Sequence, residues 1–208
     1  MIIGIAGRKQ CGKDTICNII RYLEYLKYNQ IFEGLEPSAA HFNNTLNNHE
    51  ENLIISSEWE KHAFADALKA CSSLILGVDM CCFETEDFKE SPTTLNLGMT
   101  NREFLQKLGT EIGRNIHPDL WVLHLMQIYE SNPDSKWIIT DVRFPNEADA
   151  IISHGGIVIK VERDTGLDDQ HISEHALDDY EHFSYVIKNN GTIDVLIDKV
   201  KACLGDYI

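Results

Sequence analysis

Apolar residues recur along this chain in two alternating patterns. Short, unbroken apolar runs predict buried strands, and segments with apolar residues at every third or fourth position predict amphipathic helices. Ile2–Ala6 is an apolar run and predicts a strand. Ile16, Ile20 and Leu23 then mark the buried face of a helix predicted over residues 13–28. The chain therefore begins with a strand followed by a helix.

The same alternation continues along the chain. Further strands are predicted at 61–65, 137–141, 157–161 and 185–187. Further helices are predicted at 66–76, with Asp66 as N-cap, and at 101–114, with Ile112 facing inward. The next helix has Pro118 in its first turn, and another ends at His154. The last is predicted at 193–204, behind the cap Thr192. Strands that alternate with helices form a mainly parallel sheet. We therefore expect an α/β fold, a three-layer α/β/α sandwich forming a single domain over residues 1–208, with ligands at the carboxyl ends of the strands.

Residues 29–57 differ in composition from their surroundings. They are rich in Asn and include Gly34 and Pro37. Asn side chains compete with the backbone for hydrogen bonds and favour turns. We therefore predict a loosely ordered surface insertion, which either is passive or closes over a substrate.

The charge balance bears on the class of partner. The 208 residues include 18 Lys and Arg and 33 Asp and Glu, a formal charge of −15. A protein that grips a nucleic acid polymer needs a contiguous basic surface, and the sequence has no run rich in Lys and Arg. A few cations and backbone N–H groups are nevertheless enough to bind a small phosphate-bearing molecule. Partners are therefore expected to be small molecules, with no nucleic acid polymer.

The sequence also indicates a compartment. No apolar stretch approaches the ~20 residues of a membrane span, and the first residues lack the basic region and cleavage site of a signal peptide. The six cysteines form no CxxC pair and have no zinc-ligand spacing. We expect no membrane association, and buried or partly buried free thiols in the cytoplasm, which would be the host cytoplasm for a viral protein.

The strongest chemical signal is a GxxxxGK motif between the first strand and the first helix. Gly7 and Gly12 let the backbone curl so that successive N–H groups point at phosphate oxygens. Lys13 would place its charge on the β- and γ-phosphates. The motif predicts a P-loop NTPase fold that binds a nucleoside triphosphate. The residues predicted to hold the triphosphate here are Gly7, Arg8, Lys9, Gln10, Cys11, Gly12, Lys13, Asp14 and Thr15.

One position departs from the usual motif. A Ser or Thr that binds Mg²⁺ normally follows the lysine, whereas here Asp14 does, with Thr15 next. Asp14 is predicted to bind Mg²⁺, directly or through water, or to act as a base toward an acceptor. The alternative is that its charge merely favours the start of the helix.

Further sequence blocks resemble one known family. In chain order they are GKDT at 12–15, FADALK at 64–69, REFLQKLGTEIGR at 102–114, HPDLWV at 117–122, ITDVRFPNE at 139–147, HISE at 171–174 and NNGT at 189–192. Together they resemble the phage-type deoxynucleoside monophosphate kinases, which share a nucleoside monophosphate kinase-like P-loop fold. The resemblance implies transfer of the γ-phosphoryl group of ATP to a deoxynucleoside 5′-monophosphate, with Mg²⁺ as cofactor, and it implies a homodimer.

The resemblance also assigns substrate-binding positions. Asp66 and Lys69 carry over although Ala67, between them, replaces a proline of the family. The helical spacing agrees with part of this assignment, because Gln106 and Gly109, four and seven positions after Arg102, lie on the same face of the predicted helix. The remaining assigned positions are Arg102, Gln106, Gly109, Thr110, Trp121 and Asp141. Read without the resemblance, Gln106 is equally a solvated surface residue, and Trp121 on a helix is more often a core residue than a base-stacking one.

Asp141, the last residue of the predicted third strand, and Arg143, two residues further on, each have more than one interpretation. Asp141 is predicted to hold Mg²⁺ or contact the substrate, together with Lys13, Asp14 and Arg102 as the catalytic set, or else to cap the next helix. Arg143 either neutralises charge on the transferring phosphoryl group or pairs with Glu147 as a surface contact.

The C-terminal part supplies candidates for the ATP side. Asn189 and Gly191 resemble a loop that cradles adenine in related kinases, and a helix-entry turn is the alternative. The acidic stretch 164–181 is predicted to be a mobile lid, with Arg163 as the cation that closes on the phosphates.

Two other functions remain compatible with the phosphate loop. One is a kinase of another small molecule, and the other is a non-catalytic ATP-binding regulator. The helix that carries Arg102, Gln106 and Gly109 favours the deoxynucleoside monophosphate kinase.

Overall fold

The strand Ile2–Ala6 lies at the centre of a parallel sheet. The computed structural model describes residues 1–28, 36–164, 166, 171–205 and 207. The strands within them are β1 (Ile2–Ala6), β2 (Trp59–His62), β3 (Lys136–Val142), β4 (Ile157–Glu162) and β5 (Tyr185–Lys188). The sheet has the order β2-β3-β1-β4-β5, and every adjacent pair of these strands is parallel.

Helices connect the strands. The α-helices are α1 (Lys13–Tyr28), α2 (Ala39–Ser56), α3 (Asp66–Leu76), α4 (Glu86–Glu90), α5 (Asn101–Gln106), α6 (Arg114–Ile116), α7 (Leu120–Glu130), α8 (Pro145–Ser153), α9 (Ile172–His175) and α10 (Ile193–Leu204). A 3₁₀-helix covers Met80–Glu84, and a π-helix, Lys107–Gly113, joins α5 to α6.

The chain forms two compact units. The sheet unit comprises Met1–His62 and Pro133–Ile208, and the helical unit comprises Ala63–Asn132. The sheet unit contains all the strands named above together with α1, α2, α8, α9 and α10. The helical unit contains α3 to α7.

Alternating side chains of β1 build the two faces of the sheet unit. Ile3 and Ile5 belong to the buried core that α1 and α10 also form. Gly4 points to the opposite face, where a Cβ atom would lie 2.6 Å from Cδ1 of Ile151 on α8. Successive residues of a strand face opposite sides, so one apolar run is covered by helices on both sides. The prediction of an α/β sandwich with a parallel sheet is confirmed.

The prediction of a loosely ordered insertion over 29–57 is wrong for its longer part, since α2 spans Ala39–Ser56. Ser38 caps this helix by accepting a 3.3 Å hydrogen bond from the backbone N–H of His41. Phe42 is buried and meets the ring of Tyr22 edge-on at 5.3 Å. A cap and an apolar contact with α1 therefore outweigh the low helix propensity of the Asn residues. Residues 29–35 lie outside the described residues.

The second strand and two helix starts are displaced from their predicted positions. β2 ends at His62 because the N–H of Ala63 donates to Oδ2 of Asp66, which starts a turn. Asp66 is therefore the first residue of α3 rather than its N-cap, which is Ala65. Pro118 precedes α7, whose N-cap is Asp119. Loop contacts set these boundaries, and the apolar pattern does not record them.

The helix predicted at 101–114 contains a π-helical stretch that changes which residues face inward. Ile112, predicted to be buried, is 52% exposed. A π-helix has more residues per turn than an α-helix, so the faces shift after Lys107. The cysteine prediction also needs correction: all six thiols are free, but Cys71 and Cys81 are exposed.

Candidate functional site

The phosphate loop connects the central strand β1 to helix α1. Gly7 has φ +150° and Gly12 has φ +104°, values that L side chains rarely adopt. A Cβ atom at Gly7 would lie 2.6 Å from the carbonyl oxygen of Val161, and one at Gly12 would collide with the amide of Asn189. The loop curls as the motif predicts, and both glycines are required by space as well as by backbone conformation.

Lys13 folds back over this loop. Its ammonium donates hydrogen bonds to the carbonyl oxygens of Gly7 at 2.7 Å and Arg8 at 2.8 Å. Burial lowers the pKa of the Lys13 ammonium, while Asp14 and Asp141 act in the opposite direction. The charge of Lys13 is thus held against the loop backbone, with two carboxylates acting on it.

Asn189 supports the loop from behind. Its side-chain amide donates a 2.8 Å hydrogen bond to the carbonyl oxygen of Cys11, and the residue is buried. Gly191 lies in the exposed turn before α10, where a Cβ atom would contact Val195 at 3.2 Å. The structure therefore gives Asn189 a supporting role that the sequence did not indicate, and contact of Asn189 or Gly191 with adenine stays a prediction.

Asp14 is exposed at the start of α1. Its side chain is 74% exposed, and its carboxylate forms a 2.7 Å ion pair with Nζ of Lys61 in β2. Thr15, the next residue, is half-buried. The sequence analysis missed Lys61, because its proximity to Asp14 depends on the position of β2 in the sheet. The described residues contain no group of three or more His, Cys, Asp or Glu side chains suited to a metal ion.

A cavity of about 400 Å³ lies beside the phosphate loop. Gly7 and Cys11 line it from the loop, and Val142 and Val161 line it from the ends of β3 and β4. This is the carboxyl edge of the sheet, where ligands of parallel α/β proteins bind. Arg163 was expected to be the cation that closes on the phosphates, but it shares the lining with other cations. Those that line the cavity are Arg8, Arg143, Lys160, Arg163 and Lys188.

The segment from His171 to Asp178, part of the predicted lid, contacts the phosphate loop. Asp178 accepts two hydrogen bonds from the guanidinium of Arg8, at 3.0 and 3.1 Å. His175 and then Arg8 lower the pKa of the Asp178 carboxyl by hydrogen bonding to it. Glu174 accepts a 2.7 Å bond from the backbone N–H of Lys9. Mobility of this lid stays a prediction, and residues 165 and 167–170 lie outside the described residues.

Arg143 and Glu147 do not form the surface ion pair considered as an alternative. Glu147 is buried and accepts the backbone N–H groups of Arg143, at 2.7 Å, and Phe144, at 3.0 Å. The guanidinium of Arg143 instead pairs with Glu174. Nor is Asp141 the cap of α8, whose N-cap is Phe144. The structure therefore makes Glu147 a brace for the backbone beyond β3.

Most candidates for binding the monophosphate substrate belong to the helical unit, whereas Asp141 and Arg143 belong to the sheet unit. Arg102 donates from Nε to Glu90 at 2.6 Å and from Nη2 to Glu86 at 2.7 Å. Lys69 pairs with Glu84 at 2.7 Å and approaches Asp66 at 4.0 Å. The sequence analysis did not single out Glu84, Glu86 or Glu90 as partners of these cations. The spacing of Glu86 and Glu90, four residues apart on a helix, is the signal that could have found them.

Gly109 and Trp121 of the helical unit contact each other. The indole N–H of Trp121 donates a 2.9 Å hydrogen bond to the carbonyl oxygen of Gly109, which is buried. A Cβ atom at Gly109 would lie 2.7 Å from Leu68. Gln106 and Thr110 are half-buried on the same helical run. These contacts explain Gly109 by packing, while substrate contacts of Gln106, Thr110 and Trp121 stay predictions.

A central strand, a phosphate loop and a helix at the carboxyl edge of a parallel sheet define a P-loop nucleotide-binding protein. A family model described as deoxynucleotide monophosphate kinase matches residues 38–200, well over half of the chain. The chain belongs to the deoxynucleotide monophosphate kinase family. The matched range begins after the phosphate loop, so the loop supports the same class independently.

Relatives from several viruses agree. A protein of Acanthamoeba polyphaga mimivirus, whose name assigns it to the deoxynucleotide monophosphate kinases, is 35% identical over 158 residues, covering 69% of this chain and 82% of its own. The deoxynucleoside-5′-monophosphate kinase of Escherichia phage T5 is 43% identical over 58 residues, 27% of this chain and 23% of its own. The deoxynucleotide monophosphate kinase of Escherichia phage RB69 is 27% identical over 124 residues, 57% of this chain and 50% of its own.

These comparisons confirm the family and the kinase class expected from the sequence. ATP is the phosphoryl donor that the family implies. Among the helices of the described residues, none has the length and apolar character needed to cross a membrane.

Proposed function

We propose that this kinase binds ATP at the phosphate loop and transfers its γ-phosphoryl group to a deoxynucleoside 5′-monophosphate. The observation that carries the proposal is the geometry of the loop, whose glycines adopt positive φ and whose Lys13 lies against the loop carbonyls. Phosphoryl transfer requires alignment and charge neutralisation more than covalent chemistry from the protein. A triphosphate would draw the Lys13 ammonium from the carbonyls to its own oxygens.

The cavity beside the loop is suited to the rest of the ATP molecule. Its volume of about 400 Å³ lies within the range of small-molecule sites. Arg8, Arg163 and Lys188 supply positive charge along its lining, and Phe183 supplies an aromatic surface. We place the nucleoside of ATP in this cavity, with its phosphates on the loop.

Mg²⁺ fits the carboxylates near the loop. Mg²⁺ in phosphoryl-transfer sites keeps several waters and takes one or two protein carboxylates, with phosphate oxygens completing its shell. Asp14 and Asp141 both act electrostatically on Lys13 and are the carboxylates that would hold the ion, directly or through water. When bound, the ion would neutralise charge on the triphosphate.

The acceptor would be bound through Arg102 and Lys69. Both side chains are held by carboxylates, Arg102 by Glu86 and Glu90, and Lys69 by Glu84. A phosphate dianion would compete for these cations, since carboxylates and phosphates accept the same charge-assisted bonds. Asp66, Gln106, Gly109, Thr110 and Trp121 are proposed to surround the same substrate.

The test is an ADP-release assay with each deoxynucleoside monophosphate and each ribonucleoside monophosphate as acceptor. Turnover that depends on a deoxynucleoside monophosphate, and that Lys13→Met abolishes, supports the proposal. Lys27→Met removes an exposed cation from the same helix and is the matched control. ATP binding without turnover of any of these acceptors would indicate a regulator or a kinase of another small molecule.

The viral relatives and the six free thiols support a place in the cytoplasm of the host cell. The net charge of −15 supports a protein without a nucleic acid partner. We propose no membrane association, because the sequence lacks an apolar stretch of sufficient length. The homodimer implied by the resemblance remains part of the proposal, and the mass of the purified protein in solution tests it.

A further inference from the structure

Glu174 joins parts of the sheet unit that lie far apart in the sequence. It lies on α9, and its Oε2 accepts a 2.7 Å hydrogen bond from the backbone N–H of Lys9 in the phosphate loop. Its Oε1 accepts a bond from Nη1 of Arg143, which follows strand β3. We propose that Glu174 is a positioning residue that fixes the Arg143 guanidinium beside the phosphate loop for phosphoryl transfer. The inference rests on the proposed binding of ATP at this loop.

Burial distinguishes this pair from its neighbour on the same segment. The side chains of Glu174 and Arg143 are 6% and 33% exposed, whereas those of Asp178 and Arg8 are 45% and 53% exposed. An exposed ion pair is weak and exchanges partners easily, while a buried carboxylate is costly to separate from its partners. Arg8 is therefore the cation that a ligand can take from its carboxylate, and Arg143 is the cation that stays in place.

Arg143 is held from two directions. Its backbone N–H donates to the buried Glu147 at 2.7 Å, which fixes the start of the side chain. Its guanidinium bonds Glu174 and approaches Oγ of Ser173 at 3.5 Å, which fixes the end. A guanidinium has five N–H donors, so these bonds leave donors for a phosphate oxygen, and Arg143 lines the cavity beside the loop.

Because Glu174 accepts the hydrogen bond from the Lys9 N–H, it also positions the phosphate loop. The same carboxylate sets the position of a loop N–H group and of the guanidinium, so both donors keep one fixed separation. Preorganised donors stabilise developing charge without reorganising during the reaction. Loss of Glu174 should therefore lower the rate of transfer more than the affinity for ATP.

The test compares Glu174→Gln with the wild type, using whichever deoxynucleoside monophosphate the wild type phosphorylates. We expect kcat to fall at least about 10-fold and the KM for ATP to change less than about 3-fold, since misplaced groups cost mainly rate. Asp149→Asn is the matched control, because Asp149 is exposed and accepts a hydrogen bond from Tyr180 near the same segment. Its kcat should stay within about twofold.

A double-mutant cycle shows whether Glu174 acts through Arg143. In an Arg143→Ala background, Glu174→Gln should lower kcat less than it does in the wild type, because the guanidinium is gone and only the contact with the Lys9 N–H is left to disturb. Equal losses in both backgrounds would overturn the proposal. So would a Glu174→Gln enzyme with unchanged kcat and tighter ATP binding, since that result means the carboxylate competes with phosphate.

Separate controls test whether the variants fold and whether ATP binds at the phosphate loop. The thermal unfolding midpoint is measured for each variant, and Glu174→Asp, which keeps the charge on a shorter side chain, replaces Glu174→Gln if the latter does not fold. Loss of turnover in Lys13→Met tests ATP binding at the loop independently. If Lys13→Met is inactive while Glu174→Gln and Glu174→Asp match the wild type, the positioning role fails and the proposed function stands.

Discussion

The side-chain amide of Asn189 donates a 2.8 Å hydrogen bond to the carbonyl oxygen of Cys11, so a residue after the last strand holds the phosphate loop that follows the first. The bond is buried, and Asn189 also fills the space that a side chain at Gly12 would need. The shape of the phosphate loop therefore depends on the position of Asn189, directly after β5.

Asn189→Ala tests this support. The substitution leaves the Cys11 carbonyl without its buried partner, which costs about 1–3 kcal/mol. We expect the free energy of unfolding to fall by that amount in urea titrations, and the KM for ATP to rise as the loop loosens. The neighbouring exposed residue supplies the control: Asn190→Ala should change the unfolding free energy by less than about 0.5 kcal/mol. Equal stability of the two variants would contradict a supporting role.

Substitutions of Asp14 and of Lys61 should change the Mg²⁺ concentration for half-maximal turnover in opposite directions. Asp14→Asn removes a proposed ligand and should raise the Mg²⁺ concentration for half-maximal turnover by roughly 3- to 10-fold, a loss of about 1 kcal/mol. Lys61→Met removes the cation that pairs with Asp14 at 2.7 Å and should lower that concentration. Steady-state rates over a Mg²⁺ titration measure both. If Asp14→Asn leaves turnover and Mg²⁺ dependence unchanged, Asp14 has no role toward the metal.

Arg102→Met should act on the acceptor alone. A charge-assisted hydrogen bond contributes about 1.5–3 kcal/mol, so the KM for the monophosphate should rise roughly 10- to 100-fold. The KM for ATP should stay near its wild-type value. Lys107→Met removes an exposed cation from the following turn and should leave both constants unchanged. A rise in the KM for ATP equal to that for the monophosphate would rule out an acceptor-specific role.

The buried thiol of Cys17 should make the folded protein less stable in alkaline solution. Burial raises the pKa of the Cys17 thiol from 9.0 to about 11. Between these pH values the unfolded chain loses the proton while the folded chain keeps it, so the folded state becomes less stable as the pH rises. The shift corresponds to about 2–3 kcal/mol.

Unfolding free energies of Cys17→Ala and wild type between pH 8.5 and 11 measure this effect as a difference in slope, about 1.4 kcal/mol per pH unit at its greatest. The exposed Cys71 offers the control, since Cys71→Ala should retain the wild-type slope. Parallel curves for Cys17→Ala and wild type would show that the thiol does not titrate as expected.

The apolar pattern was sufficient for most of the sheet unit. The central strand, α1, β3, β4 and α10 are found close to their predicted bounds, because each buries a face whose period is visible in the sequence. The pattern failed at α2, where Asn-rich composition hid a helix stabilised by its cap and by Phe42. It also failed at Ile112, because a π-helix leaves no clear trace in apolar spacing.

By itself the sequence determined the fold class, the phosphate loop and the family. These depend on local signals, namely strand and helix periods, glycines at fixed spacing and ordered blocks of residues. Tertiary structure alone decided the partners of the polar and charged groups: Lys61 for Asp14, Glu174 for Arg143, and Asn189 for the loop carbonyl. Each pair joins positions at least 30 residues apart, and the sequence does not record which distant side chains the packing of strands and helices brings within hydrogen-bond distance.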